Sequence, residues 1–274
     1  MTTLFKPSYR SGIEDWLSES QANDFLRLLG VSAKPPSLAF LQTLVMAVYA
    51  QIPFQNLTML TRERVPPTPA QIIDDMLSGI GGLCNTMNPF FVALLHQLGF
   101  SVGFLRGSMA QPDCHIGIVV ELSGESYWLD LGNGFPYLQP LPILHGSRAQ
   151  FLGFEYQLQF DEGRFYLRQN ILGHIGTKIN QHFTVEPCHY QVFDDIRHRH
   201  YQEAGFGPFL TGIRVTRWQP EAGFLLRDNQ ITSFPGNTFE AQPAQIMQWL
   251  RQHFNQGERL VHLIQQSWKV LYDH

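Results

Sequence analysis

The chain has 274 residues, of which 44% are hydrophobic and 15% charged, with 19 basic against 23 acidic side chains and a net charge of -4. At about 150 residues per domain the length suggests roughly two domains, and a globular chain of this size buries about three quarters of its unfolded surface, so its core needs no disulfide or metal. No run of five like charges occurs, which excludes a nucleic-acid groove or a polybasic membrane patch. The longest apolar stretches, such as Pro89 to Leu95, fall far short of the ~18 to 20 residues of a membrane span. Three cysteines, Cys84, Cys114 and Cys188, without C-x-x-C spacing, point to a reducing, cytoplasmic setting and to no metal site.

The first hundred residues carry a helical period. Trp16, Leu17, Phe25, Leu26 and Leu29 share one face of a predicted helix that Gly30 ends. Leu38, Leu41, Leu44, Val45 and Val48 mark a second, running to Pro53; beyond the loop of Pro66, Pro67 and Pro69, Ile72, Ile73 and Met76 mark a third, which stops at Gly79, Gly81 and Gly82. A fourth runs through Thr86, Phe90, Phe91, Leu94, Leu95 and Leu98, with Pro89 expected in its tolerant first turn. From Ser101 the period falls to two. Strands are predicted over Val102 to Met109, His115 to Leu122, Ser126 to Leu131, Phe151 to Phe160 and Arg164 to Ile171, with turns at Ser123-Gly124 and at Asp161 to Gly163. Past Gly205, Gly207 and Pro208 come short strands near Ile213, Phe224 and Ile231, a helix through Ile246, Trp249, Leu250 and Phe254, and a last helix from Leu260 to Leu271. The expected division is a helical part over 1–100, a β-rich part over 101–204 and a mixed α/β part over 205–274. Phe206 to Phe209 reads as a linker or hinge, and His198-Arg199-His200, near Cys188-His189, as a polar loop whose spacing fits no zinc site.

The chemistry centres on Gly81-Gly82-Leu83-Cys84, which leads straight into a helix. A cysteine at a helix N-terminus meets free amides and aligned dipoles, which favour the reactive thiolate. The competing reading is a buried cysteine acting as a small hydrophobe. A thiolate nucleophile needs a base and the base needs an orienting acceptor. With Ser123-Gly124 as a two-residue turn, Leu122 pairs with Glu125 and Asp130 falls opposite Gly117, two residues along from His115 on the same face. His115 and Asp130 are then diagonal cross-strand neighbours, whereas a slip of one residue separates them. Cys114 would point to the opposite face, into the core.

Four segments occur in order: Ile52-Pro53-Phe54-Gln55-Asn56-Leu57, Gly81-Gly82-Leu83-Cys84, His115-Ile116-Gly117-Ile118 and Trp128-Leu129-Asp130-Leu131-Gly132. The series resembles the arylamine N-acetyltransferases, whose marks are P-F-E-N-L, R-G-G-x-C, a histidine opening a strand, and D-V-G-F-G. The resemblance runs from about Phe25 to Gly134. It implies an α+β fold with a cysteine-proteinase-like core: an N-terminal helical bundle, a central β-barrel and a C-terminal α/β lid. It also implies a Cys84, His115 and Asp130 triad that moves an acetyl or other acyl group from acetyl-coenzyme A to an arylamine, hydrazine or similar small amine by ping-pong transfer. Gly82, Leu83, Phe54, Asn133 and Phe135 are the expected substrate contacts. The chain departs from the family at Gln55, Ile80 and Thr86, where charged residues are replaced by neutral ones; the expectation is an ion network exchanged for packing rather than a site destroyed. It departs again at Asn133, in the place of a phenylalanine. Rival readings are an amide synthase that takes its acyl chain from a carrier protein, a cysteine hydrolase, and a catalytically idle binding protein.

Overall fold

The computed structural model describes residues 5–6, 9–171 and 178–272. In chain order they form α1 (Glu19–Leu29), α2 (Leu38–Gln51), β1 (Phe54–Gln55), α3 (Leu57–Thr61), α4 (Pro69–Leu77), α5 (Cys84–Gln97), β2 (Ser101–Ser108), β3 (His115–Leu122), β4 (Glu125–Leu129), β5 (Leu141–Pro142), β6 (Arg148–Phe151), β7 (Phe154–Asp161), β8 (Arg164–Ile171), β9 (Lys178–Phe183), α6 (Asp194–Gln202), β10 (Arg214–Gln219), β11 (Ala222–Arg227), β12 (Gln230–Phe234), β13 (Thr238–Glu240), α7 (Pro243–His253) and α8 (Gly257–Tyr272). The fold is α+β. None of the helices among the described residues is long and apolar enough to cross a membrane.

Local chemistry sets most helix ends. Ser18 and Gln21 close a capping box on α1, so this helix starts after Trp16 and Leu17 rather than with them, and Gly30 ends it in the left-handed region. Thr68 and Gln71 repeat the box on α4, with Pro69 in its first turn. Helix α5 is buried from Cys84 through Leu95 on every side, as expected of a helix that is apolar all round and wrapped by other elements. Pro89 is its sixth residue and not in its first turn, so the ring removes the amide that the Asn85 carbonyl would otherwise accept from.

An eight-stranded antiparallel sheet in the order β5-β4-β3-β2-β9-β8-β7-β6 curls into a near-barrel against α5. The turn at Ser123 and Gly124, both at positive φ, pairs Leu122 with Glu125 and Ile118 with Leu129, the register expected for a two-residue hairpin. The C-terminal sheet, β1-β10-β11-β12-β13, takes its edge strand from the N-terminal part: Phe54 pairs with Thr216 and Gln55 with Val215. Its apolar core likewise includes Leu57, Leu60 and Ile80 beside Ile213, Ile231, Leu250 and Ile264. The so-called lid therefore shares a core with the helical part.

Asn56 fastens this junction. Fully buried, it donates from Nδ2 to the Phe209 and Gly212 carbonyls at 2.7 and 2.6 Å, and its Oδ1 accepts from the Arg214 amide at 2.7 Å. Asn56→Ala strands three backbone groups, two of them in the connection that leads into β10. At about 1 to 3 kcal/mol for each buried group left unpaired and not reached by water, a loss of roughly 2 to 5 kcal/mol is expected. Urea unfolding of the variant measures it, and a loss below about 1 kcal/mol would show that the junction does not depend on this side chain.

Candidate active site

Cys84 is the first residue of α5, and His115 opens β3. Asp130 follows β4 by one residue and is 1% exposed. His115 donates from Nε2 to Asp130 Oδ2 at 2.6 Å, and Cys84 lies near enough to act on the same imidazole. The three predicted groups thus lie together at one site. Burial alone would push the His115 pKa down; the charges of Asp130 and Cys84 and the hydrogen bonds to both carry it well above the ordinary imidazole range. Burial would raise Asp130, but the His115 charge, with hydrogen bonds from His115, Asn88 and the Gly132 amide, holds it below the usual carboxylate range.

Asp130 accepts from four donors. Besides His115, Asn88 Nδ2 and the Gly132 amide donate to Oδ1, each at 3.0 Å, and Gln181 Nε2 donates to Oδ2 at 3.2 Å. Asn88 also donates to the Ile116 carbonyl at 2.5 Å and accepts from the Leu131 amide at 3.0 Å, while the Tyr49 hydroxyl donates to the Asp130 carbonyl at 2.5 Å. None of Asn88, Gln181 or Tyr49 is visible to sequence reasoning as a site residue. Asn88, four residues after Cys84 and hence on the same face of α5, carried the one available signal. Gly132 lies so close to the nucleophile that a Cβ would fall 2.2 Å from Cys84 Cα, so the glycine is a requirement of space.

A cavity of about 650 Å³ opens over Cys84 and His115, and Phe54, Asn133 and Phe135 line it. Gly82 and Leu83 do not. The Gly82 carbonyl accepts from the Gln55 amide at 3.1 Å, and Leu83 is 3% exposed within the main apolar core. The opposite wall comes from distant segments: His200, Phe206, Pro208, Phe209, Thr216 and Leu225. Two expectations are corrected here. His198-Arg199-His200 is helical, within α6, and His200 faces the cavity; Phe206 to Phe209 is cavity wall rather than plain linker. Cys114 also reaches the cavity edge, although buried.

The neutral substitutions are each accommodated. Gln55 donates to Thr58 Oγ1 and the Gly81 carbonyl at 3.2 Å and accepts from the Thr58 amide at 3.1 Å. Ile80 joins the C-terminal apolar core, and Thr86 packs on Gly82. The acid nearest to this region, Asp75, is paired bidentately with Arg62 at 2.6 and 2.7 Å, so no unpaired buried charge lies beside Ile80 among the described residues.

A curled sheet on a central helix that starts with a cysteine, facing a histidine–aspartate pair, is the architecture of a cysteine-proteinase-like enzyme. Within that class, the N-acetyltransferase family model matches residues 37–256, and the chain belongs to this family. Among curated proteins it is similar to an uncharacterized acetyltransferase of Bacillus subtilis, YvcN, with 24% identity over 227 residues, 77% of this chain and 87% of the relative. Its fold matches the arylamine N-acetyltransferase of Mycobacterium marinum (TM-score 0.81, 19% identity, 92% of this chain and 100% of that one). It also matches that of Mycobacterium abscessus (TM-score 0.78, 21% identity, 90% and 94%). A third match, from Bacillus cereus (TM-score 0.73, 19% identity, 87% and 98%), is described by a Cys-His-Glu catalytic triad; in this chain the carboxylate beside His115 belongs to Asp130.

The paired charges carry a pH signature. His115, raised, contributes stability in full below the unfolded imidazole value of about 6.5 and loses it as pH climbs through the folded value; Asp130, lowered, contributes in full above about 3.9 and loses it as pH falls through its folded value. The stability difference between the native chain and Asp130→Asn should therefore be widest between about pH 4 and 6.5 and narrow on either side. Denaturant unfolding across that range measures it, and a difference independent of pH would mean that the two groups are not ionised together.

Proposed function

We propose that the protein transfers an acyl group from a coenzyme A thioester to a small aromatic amine or hydrazine through an acyl-cysteine on Cys84. The observation that carries the reading is the His115–Asp130 hydrogen bond beside Cys84 in a cavity walled by Phe54, Phe135, Phe206 and Phe209. Cys84 gives its proton to His115 and attacks the thioester carbonyl. The C–S bond to coenzyme A breaks and His115 returns its proton to the departing thiolate. The neutral imidazole then takes a proton from the attacking amine as the second C–S bond breaks, a role typically worth about 10² to 10⁴ in rate. Asp130 keeps the imidazole oriented, and backbone amides at the start of α5 are the donors for the oxyanion. The aromatic walls suit a flat, apolar acceptor. The three free cysteines fit a reducing, cytoplasmic setting.

A second reading, an amide synthase fed by a carrier protein, is favoured by one observation: about 650 Å³ is more room than an acetyl group and one ring require. Intact mass after exposure to acyl-coenzyme A thioesters of increasing length tests both. The expected result is an acyl adduct on the native chain, absent from Cys84→Ala and discharged by an arylamine, with Asp130→Asn slower by about 10²- to 10⁴-fold. Discharge to free acid without amine would instead mark a hydrolase. An adduct formed only from carrier-bound chains would support the synthase.

A further inference from the structure

A second imidazole shares the cavity with His115. His200, on α6, donates from Nε2 to the Cys114 carbonyl at 2.9 Å, which fixes the tautomer and leaves Nδ1 as a hydrogen-bond acceptor. Its ring stands edge-on to Phe206, 4.8 Å between centroids, and both line the cavity that holds Cys84 and His115. A Cβ on the neighbouring Gly207 would fall 3.2 Å from Nδ1 and 3.4 Å from Cε1. Gly207 does not adopt a positive φ, so what its missing side chain provides is space at this face of the imidazole. Burial, with the charges of His115 and Arg199, lowers the His200 pKa despite the pull of the Cys114 carbonyl, so the ring is neutral and Nδ1 keeps its lone pair at neutral pH. The Cys84, His115 and Asp130 chain does not use His200.

We propose that His200 Nδ1 accepts an N–H of the incoming acyl acceptor and so makes the enzyme selective for primary amines and hydrazines. The assignment rests on the acyl-cysteine reading above. In the second half-reaction the amine nitrogen forms a C–N bond to the acyl carbon, the C–S bond breaks with its electrons returning to Cys84, and one N–H proton passes to His115. A primary nitrogen keeps a second N–H, which stays in the amide product and can remain on His200 throughout. A secondary nitrogen has given up its only N–H and leaves the acceptor unmet in a partly buried site, which disfavours it.

The test is single-turnover discharge of the acetyl-enzyme by aniline and by N-methylaniline, in the native chain, His200→Gln and His200→Asn. Glutamine reaches the Nε2 position and keeps a donor for the Cys114 carbonyl without a group at Nδ1; asparagine places an amide oxygen near Nδ1. The expected result is that the aniline to N-methylaniline rate ratio falls by about tenfold in His200→Gln and recovers in part in His200→Asn. Formation of the acetyl-enzyme, a step without acceptor, should change far less. An unchanged ratio with normal acetyl-enzyme formation would overturn this role and leave the acyl-cysteine reading standing. Equal loss in both half-reactions would mark a merely structural histidine and overturn it as well. Absence of any acetyl adduct on the native chain would overturn the reading beneath it.

Discussion

A carboxylate as deeply buried as Asp130 keeps its charge only if donors surround it, and those donors come from three separate stretches of chain. His115 reaches it from β3, Asn88 from α5 and Gln181 from β9, with the Gly132 amide completing the set. Satisfying this one group therefore requires the helical part and the curled sheet to meet in a single arrangement. Asn88 makes the requirement sharper, because the same amide also ties Ile116 and Leu131 to α5. The orientation of the imidazole and the docking of helix on sheet are thus two aspects of one buried hydrogen-bond network.

Much of this was legible in the linear chain wherever a repeat or a turn carries the information. The helical periods of α1 and α4 follow from one-sided burial, α5 and the start of β3 read as apolar runs because they are buried all round, and the β3–β4 register follows from two turn residues able to adopt positive φ. Elements without such a signal were not legible. β1 has two residues, too few to show alternation. α6 is polar, with only Arg197 and Tyr201 buried, so its composition resembles a loop until the guanidinium of Arg197 is seen lying over the Tyr190 ring and donating to the Pro67 carbonyl. Asn88, Gln181 and Tyr49 are single polar residues in or beside apolar runs; a pattern can show that such groups are buried but not which partner they meet. The far wall of the cavity is assembled from segments at residues 200 to 225, far along the chain from Cys84, which no local spacing encodes.

Gln55, Ile80 and Thr86 show how neutral side chains fill a buried stretch that then holds no charge to satisfy. Removing one charge of a buried pair strands the other, whereas exchanging the whole set leaves nothing to desolvate. Here an amide that satisfies its own backbone, an isoleucine in an apolar core and a threonine against a glycine occupy the three places. The ion pair beside them, Arg62 with Asp75, is self-contained.

The edge strand contributed by Phe54 and Gln55 has a further consequence. Because residues from the first quarter of the chain both complete the last sheet and fill its interior, the C-terminal portion is not a cassette that recombination could graft from one relative to another. Any exchange near residue 205 would need matching changes around residues 54 to 60 and at residue 80. Inheritance of acceptor preference in such a lineage should accordingly follow the whole chain rather than its tail.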